Sequence, residues 1–162
     1  MTCREDELLA AARNAMKNAY APYSRFAVGA AVRLTDGSIV VGSNFENVSY
    51  GLSICAETVA LASANAQGRL ADVEALAVAG GIIQPDGSIS GHDPVRPCGR
   101  CRQILHEAEH AAERPISIYC ASAEDGPVER HSVAELLPYP FGPSDLGIKA
   151  SQIGMEPQAK DA

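Results

Sequence analysis

Apolar residues recur at helical spacing from the start of the chain, with Leu8, Leu9, Ala12, Ala15, Met16 and Ala19 on one face. Thr2-Cys3-Arg4-Glu5 has the form of a capping box with acidic residues in the first turn. The pattern predicts a helix over 4–19, ended by Pro22. The period then changes. Two β-prone runs, 27–34 and 39–44, flank Thr35-Asp36-Gly37-Ser38, and Asp-Gly between such runs predicts a hairpin. An Ala-rich segment over 55–66, closed by Gly68, predicts a second helix. Val73 to Gly80 is too short an apolar run for an ordinary helix and predicts a buried strand. Residues 80–97, rich in Gly, Pro, Asp and Ser, predict a loop with a turn at Asp86-Gly87. A third helix is expected over 98–112 and a strand over 116–121. Ser132-Val133-Ala134-Glu135 is another capping box, opening a short helix that stops at Pro138. Residues 1–147 are expected to form one domain, with 148–162 a polar, flexible tail. The order α-β-β-α-β-α-β-α predicts a mixed sheet with helices packed on its faces, an α/β sandwich whose strand order periodicity leaves open.

Composition acts mainly by exclusion. The 162 residues fit one compact domain, and 46% apolar with 20% charged residues is ordinary for a globular chain. Thirteen Lys and Arg against 20 Asp and Glu leave a net charge of −7, which speaks against an anionic membrane surface or a nucleic-acid backbone as partner. An RNA- or DNA-editing enzyme would need a basic channel and stacking aromatics, and only 5% of residues are aromatic. No apolar run approaches the roughly 20 residues of a spanning helix. Met1-Thr2-Cys3-Arg4-Glu5-Asp6-Glu7 is acidic where a signal peptide is basic. The expectation is a cytoplasmic protein with no membrane and no nucleic-acid partner.

Five cysteines, at positions 3, 55, 98, 101 and 120, are an odd number without a secretory signal, which favours metal or catalytic use over disulfides. Two fragments stand out, Cys55-Ala56-Glu57 and Pro97-Cys98-Gly99-Arg100-Cys101. Three thiolates suit a tetrahedral zinc ion, and a missing fourth protein ligand is the mark of a catalytic site. The predicted helices place all three cysteines at helix N-termini, which stabilise thiolates. Glu57 lies two residues from one ligand, where a carboxylate can accept a proton from a metal-activated water and deliver it elsewhere. C-x-E followed by P-C-x-x-C is close to the H-x-E…P-C-x-x-C signature of zinc nucleobase deaminases. A Cys-x-x-Cys pair also occurs in structural zinc sites and redox centres, and a non-catalytic zinc scaffold would supply a fourth protein ligand. Cys120 reads as a core residue and Cys3 as terminal. His106-Glu107-Ala108-Glu109-His110 matches H-E-x-x-H. The helical wheel, however, sets His106 and His110 opposite the apolar face of Ile104, Leu105, Ala108, Ala111 and Ala112, toward solvent.

Several segments resemble the cytidine deaminase family in its small, homotetrameric, three-cysteine branch. They are Tyr23-Ser24-Arg25-Phe26-Ala27-Val28-Gly29-Ala30-Ala31, Asn44-Phe45-Glu46-Asn47, Cys55-Ala56-Glu57, Pro97-Cys98-Gly99-Arg100-Cys101-Arg102-Gln103 and Leu137-Pro138-Tyr139-Pro140-Phe141-Gly142, in that order over about residues 5–147. The resemblance implies a three-layer α/β sandwich, with a mixed five-stranded sheet and helices on both faces. It implies one Zn²⁺ per subunit on Cys55, Cys98 and Cys101, with Glu57 shuttling protons while water attacks C4 of cytosine. It further implies that Phe26 packs against the pyrimidine, that Ala56 contacts the substrate, and that Asn44 and Glu46 bind the ribose 3′-hydroxyl. Phe141 would help cover the base, and Val48 and Tyr50 would approach from a neighbouring subunit of a tetramer. The substrate would be a free nucleoside, cytidine or deoxycytidine, converted to uridine or deoxyuridine in pyrimidine salvage.

One position departs from that family. The residue after the catalytic Glu is commonly an Arg that hydrogen-bonds the cysteine sulfurs, and here it is Thr58. Three thiolates on Zn²⁺ leave a formal charge of about −1. Arg100, between two ligands, is expected to compensate for it, aided by the helix termini. Cys-Gly-Arg-Cys also occurs in blasticidin S deaminase, so a deaminase of another aminopyrimidine nucleoside, such as a modified cytidine, is the alternative. Asn44-Phe45-Glu46-Asn47 and Phe141 favour ordinary nucleosides.

Overall fold

The computed structural model describes residues 3–148, so the Thr2 cap and most of the expected tail lie outside the described residues. The first helix, α1, spans Cys3–Met16 and buries Leu8, Leu9, Ala12, Ala15 and Met16. It stops short of 19 because the next turn tightens. Lys17, Asn18 and Ala19 donate to carbonyls three residues back, and the Tyr20 N–H turns away to the Asn44 carbonyl at 3.0 Å. The hairpin forms as expected from β1 (Phe26–Leu34) and β2 (Ile39–Ser43). At its turn Gly37 takes φ 87°, and the Asp36 carboxylate accepts from the Ser38 N–H at 2.9 Å.

Helix α2 is Ala56–Ala66, and strand β3 is Val73–Ile83, three residues longer than expected. The segment after Gly80 is therefore not all loop. β3 turns at Asp86-Gly87 and returns as β4 (Ile89–Ser90), pairing Ile82 with Ser90 and Ile83 with Ile89. Helix α3 (Gly99–Ala112) leads to β5 (Ser117–Ser122), then to β6 (Glu129–Ser132) and α4 (Val133–Leu136). At α4 the expected capping box is complete, with Ser132 and Glu135 bonding reciprocally.

The sheet runs β2-β1-β3-β5-β6, with β4 appended to β3, so it has one strand more than the expected five. Only β3 and β5 are parallel; the other pairs are antiparallel. The alternation of a strand divides the core in two. Ala75, Ala77 and Ala79 of β3 face α1, together with Ala31, Tyr119 and Ala121. Leu76 and Val78 face the other way, joining Ala60, Leu105, Ile118 and Cys120 under α2 and α3. Helices thus cover both faces of the mixed sheet, the expected three-layer α/β sandwich. Two glycines set how closely they settle. A Cβ at Gly29 would lie 2.1 Å from the Ala12 carbonyl oxygen, and one at Gly42 would lie 2.5 Å from the Ala60 nitrogen. α1 and α2 therefore rest directly on the strand backbones. No described helix is long and apolar enough to cross a membrane.

Candidate metal centre and pocket

α2 and α3 bring their N-termini to the same end of the sheet, and the caps of both are cysteines. Cys55 caps α2 (φ −74°, ψ 153°) and Cys98 caps α3 (φ −67°, ψ 168°), and neither side chain bonds its own helix. An ordinary N-cap spends its side chain on the helix N–H groups. Here the sulfurs turn to each other instead, and Cys101, three residues into α3, completes the group. The three sulfurs lie within 4.8 Å of one another, and Cys55 Sγ and Cys98 Sγ are 3.7 Å apart. Zinc–sulfur bonds of about 2.3 Å at tetrahedral angles require sulfurs about 3.8 Å apart. The spacing fits one zinc ion and excludes a disulfide, whose sulfurs sit about 2.05 Å apart. Among the described residues this is the one cluster of three such ligand atoms.

The protonation pattern of the thiols follows from their surroundings. The neighbouring Cys101 sulfur holds Cys55 down to about 6, with Cys98 and the Arg100 charge acting in the same sense. The Cys55 sulfur and burial shift Cys101 the other way, upward. Arg100 itself donates to the Ser53 carbonyl at 3.4 Å, and its charge acts on Cys55 through space. The hydroxyl of Thr58, which stands where the resembling family commonly has Arg, lies 3.6 Å from Cys101 Sγ.

Glu57, on the first turn of α2, is buried at 4% exposure. Burial raises its carboxyl above the ordinary value, and the Cys55 charge pushes the same way. It lines a cavity of about 360 Å³ together with Cys55, Cys98, Phe26, Asn44 and Glu46. Ala56 belongs to the same wall, as do Val28, Val95 and Arg96, which sequence reasoning missed. The clue for two of them was proximity, since Val95 and Arg96 immediately precede Pro97-Cys98. Gly80 supplies the room behind this wall, because a Cβ there would lie 3.2 Å from Val95 and 3.3 Å from the Phe26 ring. Arg96 is the only cation of the lining, and its guanidinium is forked onto the Glu129 carboxylate at 2.7 and 2.5 Å.

Asn44 and Glu46 stand at the far side. The Asn44 amide clamps β1, accepting from the Val28 N–H at 2.8 Å and donating to the Phe26 carbonyl at 2.9 Å. One amide hydrogen and one lone pair remain for a ligand. Burial would lift the Glu46 carboxyl, but bonds from Ser24 and the Tyr23 N–H outweigh it and hold the group below its ordinary value. Both backbone bonds land on Oε2, at 2.9 and 3.2 Å, so Oε1 can accept from a ligand hydroxyl.

The remaining expected contacts are not gathered around the cavity within one chain. Val48 is 76% exposed, Tyr50 74% and Phe141 63%. Tyr50 lies edge-on to Tyr23, with ring centroids 5.9 Å apart, and the Phe141 carbonyl accepts from Gln103 at 2.7 Å. The H-E-x-x-H histidines belong to no cluster of three ligand atoms among the described residues, and both are partly exposed, lining a surface depression. Solvent is not their whole surroundings, since a Cβ at Gly142 would lie 2.7 Å from His106 Nε2, and His110 Nε2 is enclosed without a hydrogen-bond partner.

A sequence model of the cytidine and deoxycytidylate deaminase zinc-binding region matches residues 3–114. The chain is 41% identical to a cytidine deaminase of Halalkalibacterium halodurans over 139 residues, 86% of this chain and 95% of that one. It is 40% identical to a cytidine deaminase of Mycobacterium tuberculosis over 136 residues, 83% of this chain and 87% of that one. Its fold superposes on the crystal structure of a Burkholderia pseudomallei cytidine deaminase with a TM-score of 0.73 at 39% identity, covering 87% of this chain and all of that one (100%).

Proposed function

The chain belongs to the cytidine and deoxycytidylate deaminase family, and from that premise we propose that it hydrolyses cytidine and deoxycytidine to uridine and deoxyuridine, releasing ammonia in pyrimidine salvage. One observation carries the reading: three sulfurs at zinc spacing and a buried carboxyl line the same cavity. Zinc held by Cys55, Cys98 and Cys101 supplies the Lewis acidity that makes water a nucleophile near neutral pH.

The protein's own residues do the rest. As the C4–O bond forms, Glu57 takes a proton from the attacking water and passes it to N3. It then takes the remaining proton from the new C4 hydroxyl and delivers it to the exocyclic nitrogen, so that the C4–N bond breaks with release of ammonia and C4 keeps the oxygen as a carbonyl. Burial raises this carboxyl above its ordinary value, which favours a group that both takes up and gives back a proton. Phe26, Val28, Ala56 and Val95 form the apolar wall for the base, and Asn44 and Glu46 receive the ribose 3′-hydroxyl. Arg96, neutralised by Glu129, is not available to a phosphate, which favours nucleosides over nucleotides. Val48, Tyr50 and Phe141 complete the enclosure in a cytoplasmic homotetramer, which accounts for their exposure in a single chain. Arg100 contributes distant positive charge beside Cys55.

The test is ultraviolet absorbance across a panel of nucleosides and free bases with metal-replete protein. Cytidine and deoxycytidine are expected to lose their characteristic absorbance with release of one ammonia each. No change with either overturns the proposal, and turnover of a modified aminopyrimidine alone replaces it with the narrower alternative.

A further inference from the structure

The two helices that build the metal centre use the same two positions, the cap and the third residue of the first turn. In α3 these hold Cys98 and Cys101, and in α2 they hold Cys55 and Thr58. Four equivalent places thus carry three thiols and one hydroxyl, and the hydroxyl oxygen lies 3.6 Å from Cys101 Sγ. We propose that Thr58 is a positioning residue for the metal centre, its hydroxyl donating a hydrogen bond to the Cys101 thiolate. The inference rests on the zinc reading above and extends it to a residue that touches neither metal nor substrate.

Need, supply and lack of competition each point to this bond. Three thiolates leave the zinc site with a formal charge of about −1, and charge in a dry environment must find donors. Water can reach Cys98, which is exposed, and Cys55, which is partly so. It cannot reach Cys101, whose exposure is 0%, so a donor for that sulfur has to come from the protein. The two cations that flank Cys101 in sequence bond to carbonyls instead, Arg100 to Ser53 and Arg102 to Pro97 and Leu136. A helical threonine usually returns its hydroxyl to a carbonyl three or four residues back. Both of those are already engaged here: Cys55 O accepts from the Val59 N–H at 3.1 Å and Ile54 O from the Phe45 N–H at 2.9 Å. The sulfur is the acceptor left to Thr58. Such a bond draws electron density from the sulfur, steadies the thiolate and fixes its direction.

Thr58→Val keeps the branched shape and loses the donor, whereas Thr58→Ser keeps the donor. Zinc affinity is read by competition with a chromophoric chelator, and sulfur donation by the sulfur-to-metal charge-transfer band of the cobalt-substituted protein. Loss of the bond is expected to weaken zinc binding about tenfold and to move the band to lower energy, with Thr58→Ser returning both toward wild type. A merely structural role would not move the band. If Thr58→Val does not fold, Thr58→Ala against Thr58→Ser makes the same comparison. Wild-type affinity and band position in the hydroxyl-free variant overturn the proposal. A wild-type protein that takes up cobalt with no sulfur band overturns the zinc centre itself, and Thr58's part in it.

Discussion

The two ends of the cavity are built on different terms. At the metal end, the ligands and Glu57 come from the first turns of two helices pressed onto one sheet, and the set is complete within a single chain. At the rim proposed for the cavity, Val48, Tyr50 and Phe141 are largely exposed in the single chain. The proposed reacting groups are therefore fixed by the fold, whereas the proposed enclosure of the substrate rests on an exposed surface, which in the proposed tetramer a second chain would meet. Changes at the first end should stop the chemistry and leave assembly intact. Changes at the second should spoil binding and leave the metal in place.

The largest effect belongs to Glu57→Gln. The amide is nearly isosteric and cannot carry a proton, so turnover should fall about 10³-fold or more, while elemental analysis still finds one zinc per chain. A variant that keeps a tenth of wild-type turnover would move the proton relay elsewhere. Next comes Val48→Glu. A carboxylate forced into a dry contact between chains costs several kcal/mol. Light scattering should therefore record a smaller particle, and KM should rise about tenfold or more with zinc content unchanged. An unaltered mass and KM would mean that one chain closes its own pocket.

The same division governs what could be read from the chain beforehand. The metal end was legible because its signals are local. Cap residues, a Cys-x-x-Cys spacing and an Ala-rich helix each lie within a few residues, and Asp36-Gly37 announced its hairpin in the same way. Thr58 escaped because a hydroxyl has meaning only once α3 is laid beside α2. Strand β6 also escaped. Glu129, Arg130, His131 and Ser132 carry no apolar alternation, and the strand exists because the open edge of β5 accepts it. β4, two residues long, is held by its turn rather than by its own propensity. The proposed rim was available only through resemblance to a family, since exposed Val48, Tyr50 and Phe141 leave no periodic trace in the chain.

The smallest expected effect falls on Glu46, which stands between the two ends. Its carboxyl is held below the ordinary value of 4.5, with bonds from Ser24 and Tyr23 outweighing its burial. A depressed carboxyl contributes stability that is present above the unfolded value and lost as pH falls through the folded one. Glu46→Gln removes that contribution. Its melting temperature should lie below wild type near neutral pH, with the gap closing as pH drops below 4.5 and through the folded value. The loss of one charged acceptor for a ribose hydroxyl should also raise KM about fivefold to tenfold, with zinc content and assembly unaffected. If KM stays put while the pH-dependent gap appears, Glu46 serves only to brace the 21–25 turn against the loop after β2, and the sugar is held by Asn44 and the neighbouring chain.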